Sequence, residues 1–479
     1  EVQATDTRAF SRLGIHWLES SSSLESPGIL KFGRTSADTH QFDGAARAII
    51  SYLKNNYGES FCAVRDQALA PLPLHSPTFD PGAKPAPKLP PGHDINKQVP
   101  RPRQILNMVA RGVDEHETAL IALGDMAFDS SYIFGGPART FQISCNTCHN
   151  KSITNPLFFI PGLSSTSGGL DVSNSFFAPH ANNGHFDPLD IPDLRGIRFT
   201  APYGRNGRFS SLREFVRNVI VNEFNGPEPD PMLLDGLIAY MLEFDFLPNP
   251  NLKPDGTLVE KAPPRAKRGE KIFHRPFAQM GGRSCASCHI PSDHFLDHKR
   301  HDIGTVTGTE PYSWDRALDT PTLLSIKFTA PYFHDGSQPT LRSVNVWFNE
   351  RLELGLDPSE IDDLTTFVEA ISDGTDGYED SPYYLDAELE EFSFFLSTYE
   401  FLKARNKNDL IDITFTTIAN EIRNHKWELQ DHQYLPIMDQ LTKLMEEAYL
   451  ANQSGAQSVM DQKVAEYRKI YSENAENLK

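Results

Sequence analysis

CNTCH at residues 145–149 and CASCH at residues 285–289 are two copies of one pattern, Cys-x-x-Cys-His, around which the rest of this chain is organised. The pattern is the attachment signature of c-type haem, because two thiolates form thioethers to the porphyrin and the adjacent His supplies an axial nitrogen to the iron. A bare Cys-x-x-Cys also fits a redox dithiol or half of a zinc site. The His after each second Cys favours haem, since a redox dithiol does not need it. The predicted haem-binding residues are Cys145, Cys148 and His149 in the first copy, and Cys285, Cys288 and His289 in the second.

Composition limits the partners and the compartment. A chain of 479 residues is long enough for two to four domains. The net charge of -19 argues against nucleic acid or an anionic membrane surface and favours a basic partner such as a small electron carrier, although solubility alone explains it equally well. No run of 18 apolar residues occurs, so no membrane span is expected.

The cysteines and the first residues of the sequence bear on the compartment in which the protein is expected to work. Four of the five cysteines lie in the two haem patterns, which leaves Cys62 single and provides no disulfide framework. Covalent haem attachment is completed after export, and the chain starts at Glu1 without a basic and apolar leader. We therefore expect a mature periplasmic or otherwise extracytoplasmic protein after signal-peptide removal.

The first hundred residues carry no recognisable chemistry. Residues 1 to about 70 show helical apolar spacing, for example at Phe10, Leu13 and Trp17. His16 and His40 are interpreted as surface or core residues rather than ligands. Ten prolines between residues 71 and 102 exclude a helix or a central strand there. Residues 1–102 are therefore predicted to form a helical extension followed by a Pro-rich linker.

A longer repeat follows each haem pattern. Residues 190–203, DIPDLRGIRFTAPY, align without a gap on residues 319–332, DTPTLLSIKFTAPY, at an offset of 129. Helical apolar stripes follow each copy, and the first stripe starts with a capping-box pattern at residues 211–214. The sequence thus predicts two homologous haem domains in tandem, at residues 103–255 and 256–375. Residues 376–479 are predicted to be a helical extension that packs on these domains or on a second subunit.

Several histidines lie outside the two haem patterns. The irregular stretch 150–190 holds His180 and His185 and is expected to cover one face of the first haem, because long loops inside compact domains are usually functional. His425 and His432 lie in the C-terminal extension. They are interpreted as solvated side chains, with axial ligation as the alternative.

With both patterns and both repeats in view, the chain resembles the bacterial di-haem cytochrome c peroxidase superfamily, which includes the MauG-type enzymes that oxidise residues of partner proteins. The resemblance covers roughly residues 115 to 375, and its most specific pieces are LGDMAF at 123–128 and TAPYFHDG at 329–336. It implies a mainly α fold, with two tandem cytochrome c-like haem domains between N-terminal and C-terminal helical extensions. It also implies a homodimer and an electron donor such as a small cytochrome c or a cupredoxin.

The resemblance implies roles for particular residues. The first haem would react with hydrogen peroxide and the second would relay electrons. His185, in the dipeptide Gly184-His185, would be a displaceable sixth ligand of the first iron, with His180 as second choice. Glu223 would be the acid–base residue that moves a proton between the peroxide oxygens. A calcium ion between the domains would be held by Asp190 and by backbone oxygens of Thr329 and Pro331, with a turn-forming role as the alternative for Asp190.

Two positions depart from the family pattern. Arg205 aligns where the family has an inter-haem Trp, and Phe348 aligns where the second haem normally takes Met, or Tyr in MauG-type proteins. Phe348 cannot bind iron, so the second iron is either five-coordinate or bound by His301, His334 or a C-terminal histidine. Loss of a thioether ligand lowers the expected potential of that haem.

The predicted function is a di-haem c-type cytochrome peroxidase that reduces hydrogen peroxide at the first haem with electrons relayed by the second. One alternative is a MauG-like enzyme that oxidises residues of a partner protein through a high-valent di-haem state. Another is a di-haem electron-transfer protein without peroxidase activity.

Overall fold

The computed structural model describes residues 118–479 except 157, 307–315, 328, 373–377 and 383–384. Before residue 118 it describes residues 15–16, 31–32, 100–102, 104 and 106. For residues 15–16, 31–32, 100–102, 378–382 and 427 it describes the backbone alone. The chain divides into an N-terminal segment, Glu1–Pro71, and a main segment, Leu72–Lys479.

Within the N-terminal segment, strand β1 (Ile15–His16) pairs antiparallel with β2 (Lys31–Phe32). The helical prediction is therefore wrong at these four residues, whose backbone groups pair between strands instead of along a helix. The other residues of that prediction, together with His40 and Cys62, lie outside the described residues.

The described part of the main segment is mainly helical, as predicted. It contains two haem units, and the first is built around two crossing helices. The helices of this region are α1 (Ala119–Asp129), α2 (Gly136–Thr140), α3 (Cys145–Cys148), α4 (Leu212–Asn218) and α5 (Pro231–Glu243). Helix α1 packs against α5 at Gly124, where an added Cβ would lie 2.0 Å from the carbonyl oxygen of Gly236. Only glycine permits this approach, which brings the apolar faces of both helices into one core.

The second haem unit repeats this arrangement with its own core. Its helices are α6 (Pro264–Phe273), α7 (Leu341–Arg351) and α8 (Pro358–Ser372). Helix α6 crosses α8 at Gly269, where an added Cβ would lie 2.0 Å from the carbonyl oxygen of Asp363. Buried apolar side chains between Leu258 and Ile371 form a cluster separate from that of the first unit.

The two sequence repeats have matching hydrogen bonds. The hydroxyl of Tyr203 donates to the carbonyl of Ile197, and the hydroxyl of Tyr332 donates to that of Ile326, at 3.3 and 2.9 Å. Helices α4 and α7 also begin at equivalent residues, Leu212 and Leu341. The predicted offset of 129 residues therefore holds in three dimensions.

One helix start differs from its prediction. Ser211 is the N-cap of α4, but its side chain makes no capping hydrogen bond. Extended backbone geometry at Ser211, with φ -118° and ψ 128°, ends the preceding turn without the side chain. In the second copy the Thr340 hydroxyl accepts from the N–H of Ser343 at 3.0 Å, so the bond predicted for the first repeat forms only in the second.

In the part of the chain described after residue 384, five further α-helices occur, in the region predicted to be a helical extension. They are α9 (Leu385–Phe395), α10 (Thr398–Lys403), α11 (Asn408–His425), α12 (Leu435–Gln453) and α13 (Gln457–Asn474). Phe392 and Phe415 from this region belong to the same buried cluster as Leu123 and Met126 of α1. The C-terminal helices were predicted to pack on the haem domains or on a second subunit. The structure shows them packing on the first haem domain. Across the described residues, no helix combines the length and apolarity that crossing a membrane requires.

Short two-stranded sheets connect the helical parts. Strand β3 (Pro100–Pro102) pairs with β8 (Tyr378–Pro382), β4 (Gly169–Leu170) with β5 (Leu189–Asp190), and β6 (Arg300–His301) with β7 (Leu318–Asp319), all antiparallel. Because β3 pairs on one side only, it agrees with the exclusion of a central strand from the Pro-rich segment. The strands β5 and β7 lead into the two repeats, and the domain boundaries at 102, 255 and 375 stay predictions.

Candidate active site

The first haem pattern forms a short helix with its own capping hydrogen bonds. The N–H of Ser144 donates to Thr147 Oγ1 at 3.0 Å, and the N–H of Thr147 donates to Ser144 Oγ at 3.3 Å. These bonds define one turn that places Cys145 and Cys148 three residues apart on the same face. In the second copy the N–H of Ser284 donates to Ser287 Oγ at 2.9 Å.

Both histidines of the haem patterns are oriented by a backbone carbonyl. His149 Nδ1 donates to the carbonyl of Pro192 at 2.9 Å, and His289 Nδ1 donates to that of Phe295 at 3.2 Å. Each ring therefore keeps Nε2 for a metal. Burial lowers the pKa of His149 to about 4 and also lowers the pKa of His289, so both rings are neutral, as iron ligation requires. These residues fit covalently attached haem c.

Glu223 ends an unusual turn of the first unit. Helix α4 continues as a π-helical turn, Val219–Glu223, and such turns are frequent at functional sites. Glu223 Oε1 accepts hydrogen bonds from Arg208 Nη2 at 3.1 Å and from Asn218 Nδ2 at 3.0 Å. Burial raises the pKa of Glu223, and the Arg208 charge and the Asn218 hydrogen bond lower it. The carboxyl group is thus held in place while its affinity for a proton is increased.

The loop that carries the predicted sixth ligand contacts the element that carries Glu223. His180 and His185 are both exposed, and the N–H of His185 donates to Asn183 Oδ1 at 2.9 Å. Phe177 of this loop packs against Phe224, the residue after Glu223, with ring centroids 4.9 Å apart. The structure therefore joins the predicted distal loop to the predicted acid–base residue.

The two repeats bind each other at a junction with pseudo-twofold symmetry. The N–H of Asp190 donates to the carbonyl of His334, and the N–H of Asp319 donates to the carbonyl of Arg205, both at 2.9 Å. Arg205 and His334 are themselves 129 residues apart. Each repeat thus offers the same carbonyl to the same amide of the other.

The predicted calcium ligands, Asp190, Thr329 and Pro331, belong to the two repeats that meet at this junction. The N–H of Ile191 donates to the carbonyl of Gly168 at 2.8 Å, and a Cβ on Gly168 would lie 4.0 Å from Pro331 Cδ. Asp190 and Pro331 therefore lie near one another. Thr329 uses its hydroxyl within its own turn, donating to the carbonyl of Ile326 at 3.2 Å.

A guanidinium group already binds the oxygens of Asp190. Arg205 Nη2 donates to the main-chain oxygen of Asp190 and, at 3.0 Å, to its Oδ2. Burial raises the pKa of Asp190 to about 7, and Arg205 opposes that rise. Asp190 Oδ1 is buried without a hydrogen-bond partner among the described residues. The guanidinium occupies the other two oxygens of Asp190 and places a permanent positive charge beside the third, so this arrangement does not fit a calcium ion.

The corresponding side of the second unit is aromatic. Phe348 packs against Trp347 and Phe333, with ring centroids 5.1 and 6.0 Å apart. At the offset of 129, Trp347 aligns with Asn218. Leu352 aligns in the same way with Glu223. Asn218 and Glu223 therefore have apolar counterparts in the second haem unit.

The histidines considered for the second iron have different surroundings. His301 Nε2 bonds Asp297 Oδ2 at 2.7 Å, and His334 is buried at the junction of the repeats. His425 Nδ1 bonds Glu428 Oε2 at 3.0 Å on a helix that packs on the first unit. His432 is exposed. The identity of the sixth ligand stays a prediction.

A buried ion pair joins the first haem pattern to the C-terminal helices. Lys151, two residues beyond His149, bonds both carboxylate oxygens of Glu391 on α9, and both side chains are largely buried. Burial raises the pKa of the neighbouring Asp129 well above its usual range. The C-terminal helices therefore supply the charge partner of a lysine that the haem segment buries.

Sequence reasoning missed four features of the site. Two are side chains, Arg208 and Asn218, and two are the carbonyls of Pro192 and Phe295. Arg208 aligns with Ser337, so the difference between the two repeats was a usable signal for the side chains. Backbone carbonyls carry no sequence signal, because every residue has one.

Residues 263–381, from just before α6 to β8, match the family model of di-haem cytochrome c peroxidase. A curated relative, hydrazine synthase subunit gamma of Kuenenia stuttgartiensis, is 28% identical over 230 residues, which cover 37% of this chain and 63% of that protein. The chain thus spans less than two thirds of that relative's length.

Among solved structures, the chain is similar to Kuenenia stuttgartiensis hydrazine synthase, with 21% identity and a TM-score of 0.39 over 58% of this chain and 96% of that one. A MauG-like protein associated with microbial copper homeostasis has 18% identity and a TM-score of 0.39, with coverages of 59% and 95%. The dihaem peroxidase BthA of Burkholderia thailandensis has 18% identity and a TM-score of 0.39, with coverages of 61% and 95%. The family match covers the second haem unit, and the repeat at an offset of 129 relates the first haem unit to it, so the chain is similar to the di-haem cytochrome c peroxidase family.

Proposed function

We propose that this protein is a di-haem peroxidase that reduces hydrogen peroxide at the first haem, with electrons relayed by the second. The observation that carries the proposal is the difference between the two units. In the first, Glu223 is held by Arg208 and Asn218. In the second, Asn218 and Glu223 align with the apolar residues Trp347 and Leu352, and Arg208 aligns with the uncharged Ser337. Acid–base chemistry is therefore supported at one haem and not at the other.

Cys145, Cys148 and His149 would hold haem c, which would supply the redox-active iron. The chain itself supplies the proton transfer. Glu223 takes the proton from the near oxygen of peroxide and delivers it to the leaving oxygen, a role that suits a carboxylate in a largely desolvated pocket. With two electrons and two protons, one peroxide leaves as two waters. Arg208 orients the carboxylate throughout.

The loop that contains His185 would control access to the first iron. We infer that His185 is a displaceable sixth ligand, with His180 as second choice. Support comes from the packing of Phe177 on Phe224, which links any movement of this loop to the turn that ends at Glu223. If His185 binds iron at rest, it has to leave before peroxide enters.

The physiological setting is inferred in the same way. A net charge of -19 suits a basic donor such as a small cytochrome c, with a cupredoxin as the alternative. We further propose an extracytoplasmic location, because covalent haem attachment is completed after export. A homodimer is the assembly that the family resemblance supports.

The direct test measures steady-state peroxide consumption with a reduced small cytochrome c. The variant Glu223→Gln is expected to lower kcat about a hundredfold to ten-thousandfold at unchanged haem content. Glu214→Gln is the matched control, since Glu214 is an exposed acid on the same helix. A wild-type protein that shows no turnover even after pre-reduction would overturn the proposal.

The aromatic group around Phe348 favours a second candidate function. Without Met at that position, the second haem is expected at a lower potential, which suits oxidation of residues in a partner protein. Peroxide should then produce a long-lived oxidised species in the absence of any reductant. Immediate return to the ferric spectrum would argue against this candidate. An electron-transfer protein with two six-coordinate irons is a further alternative, which carbon monoxide binding to either ferrous haem would exclude.

A further inference from the structure

We propose that the guanidinium of Arg205 takes the place of the calcium ion that the family resemblance implies between the two haem domains. The junction of the two repeats would then be held by an internal cation and would not require a metal. This inference does not depend on the proposed peroxidase function.

The position of Arg205 supports the proposal. Its Nη2 reaches both the main-chain oxygen and the Oδ2 of Asp190, which are the types of oxygen a calcium ion would use there. Both side chains of this ion pair are largely buried, at 27% and 11% exposure. A divalent ion bound to the same oxygens would lie beside a permanent positive charge, and the two cations would repel each other.

The backbone of Arg205 takes part in the same junction. Its φ of 56° lies in the left-handed region, which residues other than glycine adopt at a cost. This conformation is retained while the Arg205 carbonyl accepts from the N–H of Asp319 and the side chain binds Asp190. One residue therefore contacts the equivalent strands of both repeats, β7 through its backbone and β5 through its side chain.

The repeat symmetry shows that only one of two equivalent positions carries the cation. The counterpart of Arg205 in the second repeat is His334, which offers its carbonyl to Asp190 in the same way. At this pair of positions, only the first repeat has a permanently charged side chain, next to the Asp190 carboxylate. This matches a junction that needs a single cation, as a single calcium site would.

Metal content and thermal unfolding of the full-length holoprotein test the proposal. We expect far less than one calcium per chain by inductively coupled plasma mass spectrometry, and the same Tm in excess EGTA as in excess calcium. The electron paramagnetic resonance spectra of both haems should also be unchanged by EGTA. One calcium per chain, or a Tm that falls when EGTA is added, would overturn the proposal.

Variants test the cation itself. Arg205→Gln should lower Tm by several degrees, because the buried Asp190 carboxylate loses its charge partner, and Arg205→Lys should lie nearer the wild type. Arg213→Gln, in an exposed pair with Asp235, is the control and should leave Tm near that of the wild type. Equal stability of Arg205→Gln and Arg213→Gln, or equal losses in Arg205→Gln and Arg205→Lys, would contradict the role of the charge. A protein without peroxidase turnover but with a calcium-independent Tm would contradict only the proposed function.

Discussion

At the scale of single residues, the protonation of Glu223 depends on opposing influences. Burial raises its pKa, while Arg208 and Asn218 lower it. Because the first step needs the carboxylate form, activity should be present above the folded pKa and lost as the pH falls through it. The acid limb of the activity profile should therefore lie above the ordinary Glu pKa of about 4.3.

The prediction at this scale concerns Arg208→Gln. Removing the guanidinium removes an influence that lowers the pKa of Glu223, so the acid limb of kcat/KM should move to higher pH. Initial rates of peroxide reduction across about pH 4 to 9 would measure the shift. Arg217→Gln is the control, because Arg217 is exposed on α4 and pairs with Glu228. A limb that stays in place or moves to lower pH would show that Arg208 does not act on this carboxyl group.

At the scale of elements, a buried ion pair joins α9 to the first haem segment. Glu391→Gln would remove the carboxylate that binds the buried Lys151, at an expected loss of about 3–5 kcal/mol in the free energy of unfolding. Chemical denaturation of the holoprotein measures this loss. Lys469→Gln, which removes an exposed pair with Glu473, should cost about 1 kcal/mol or less. Equal losses in both variants would mean that the buried pair has no special role.

The crossing of α1 and α5 allows a second prediction at this scale. Gly124→Ala would place a Cβ 2.0 Å from the Gly236 carbonyl oxygen, so the helices must separate, at a cost of about 1–3 kcal/mol or more. Gly136→Ala is the matched control, since an added Cβ there meets no atom within 4 Å. Urea unfolding midpoints compare the two variants. A Gly124→Ala protein as stable as its control would show that the helices do not approach this closely.

At the scale of the whole molecule, the buried clusters do not follow the order of the chain. The C-terminal helices share one hydrophobic cluster with the first haem unit, although the second haem unit lies between them in sequence. The second unit has a separate cluster. The first haem unit and the C-terminal helices should therefore lose structure together.

This arrangement predicts which helices each core substitution destabilises. Phe415→Ala, in α11, should cost about 3–5 kcal/mol and should speed hydrogen exchange in α1 and α5 more than in α6 and α8. Phe367→Ala, equally buried in α8, should have the opposite pattern. Hydrogen-exchange mass spectrometry of the holoprotein measures the exchange rates of these helices in both variants. Uniform acceleration in either variant would contradict two separate cores.

Much of the architecture followed from local patterns in the sequence. The two haem patterns, the repeat at an offset of 129 and the helical stripes each occupy a short or gapless stretch, so their periodicity and spacing can be read directly. They predicted two tandem, mainly α haem domains and a helical C-terminal region, and the structure and the family match confirm that fold. The helical prediction was wrong at residues 15–16 and 31–32, because strand pairing overrode a weak helical spacing.

Tertiary structure alone decided which distant groups meet. Lys151 and Glu391 are 240 residues apart, and an apolar stripe on α9 fits the core of either haem unit equally well before the chain folds. The carbonyl partners of His149 and His289 were equally unreadable, because backbone oxygens are the same at every position. Cys145, Cys148 and His149 thus followed from the sequence itself. The hydrogen bonds to Glu223 and the guanidinium at Asp190 depend on packing between segments, which no local pattern records.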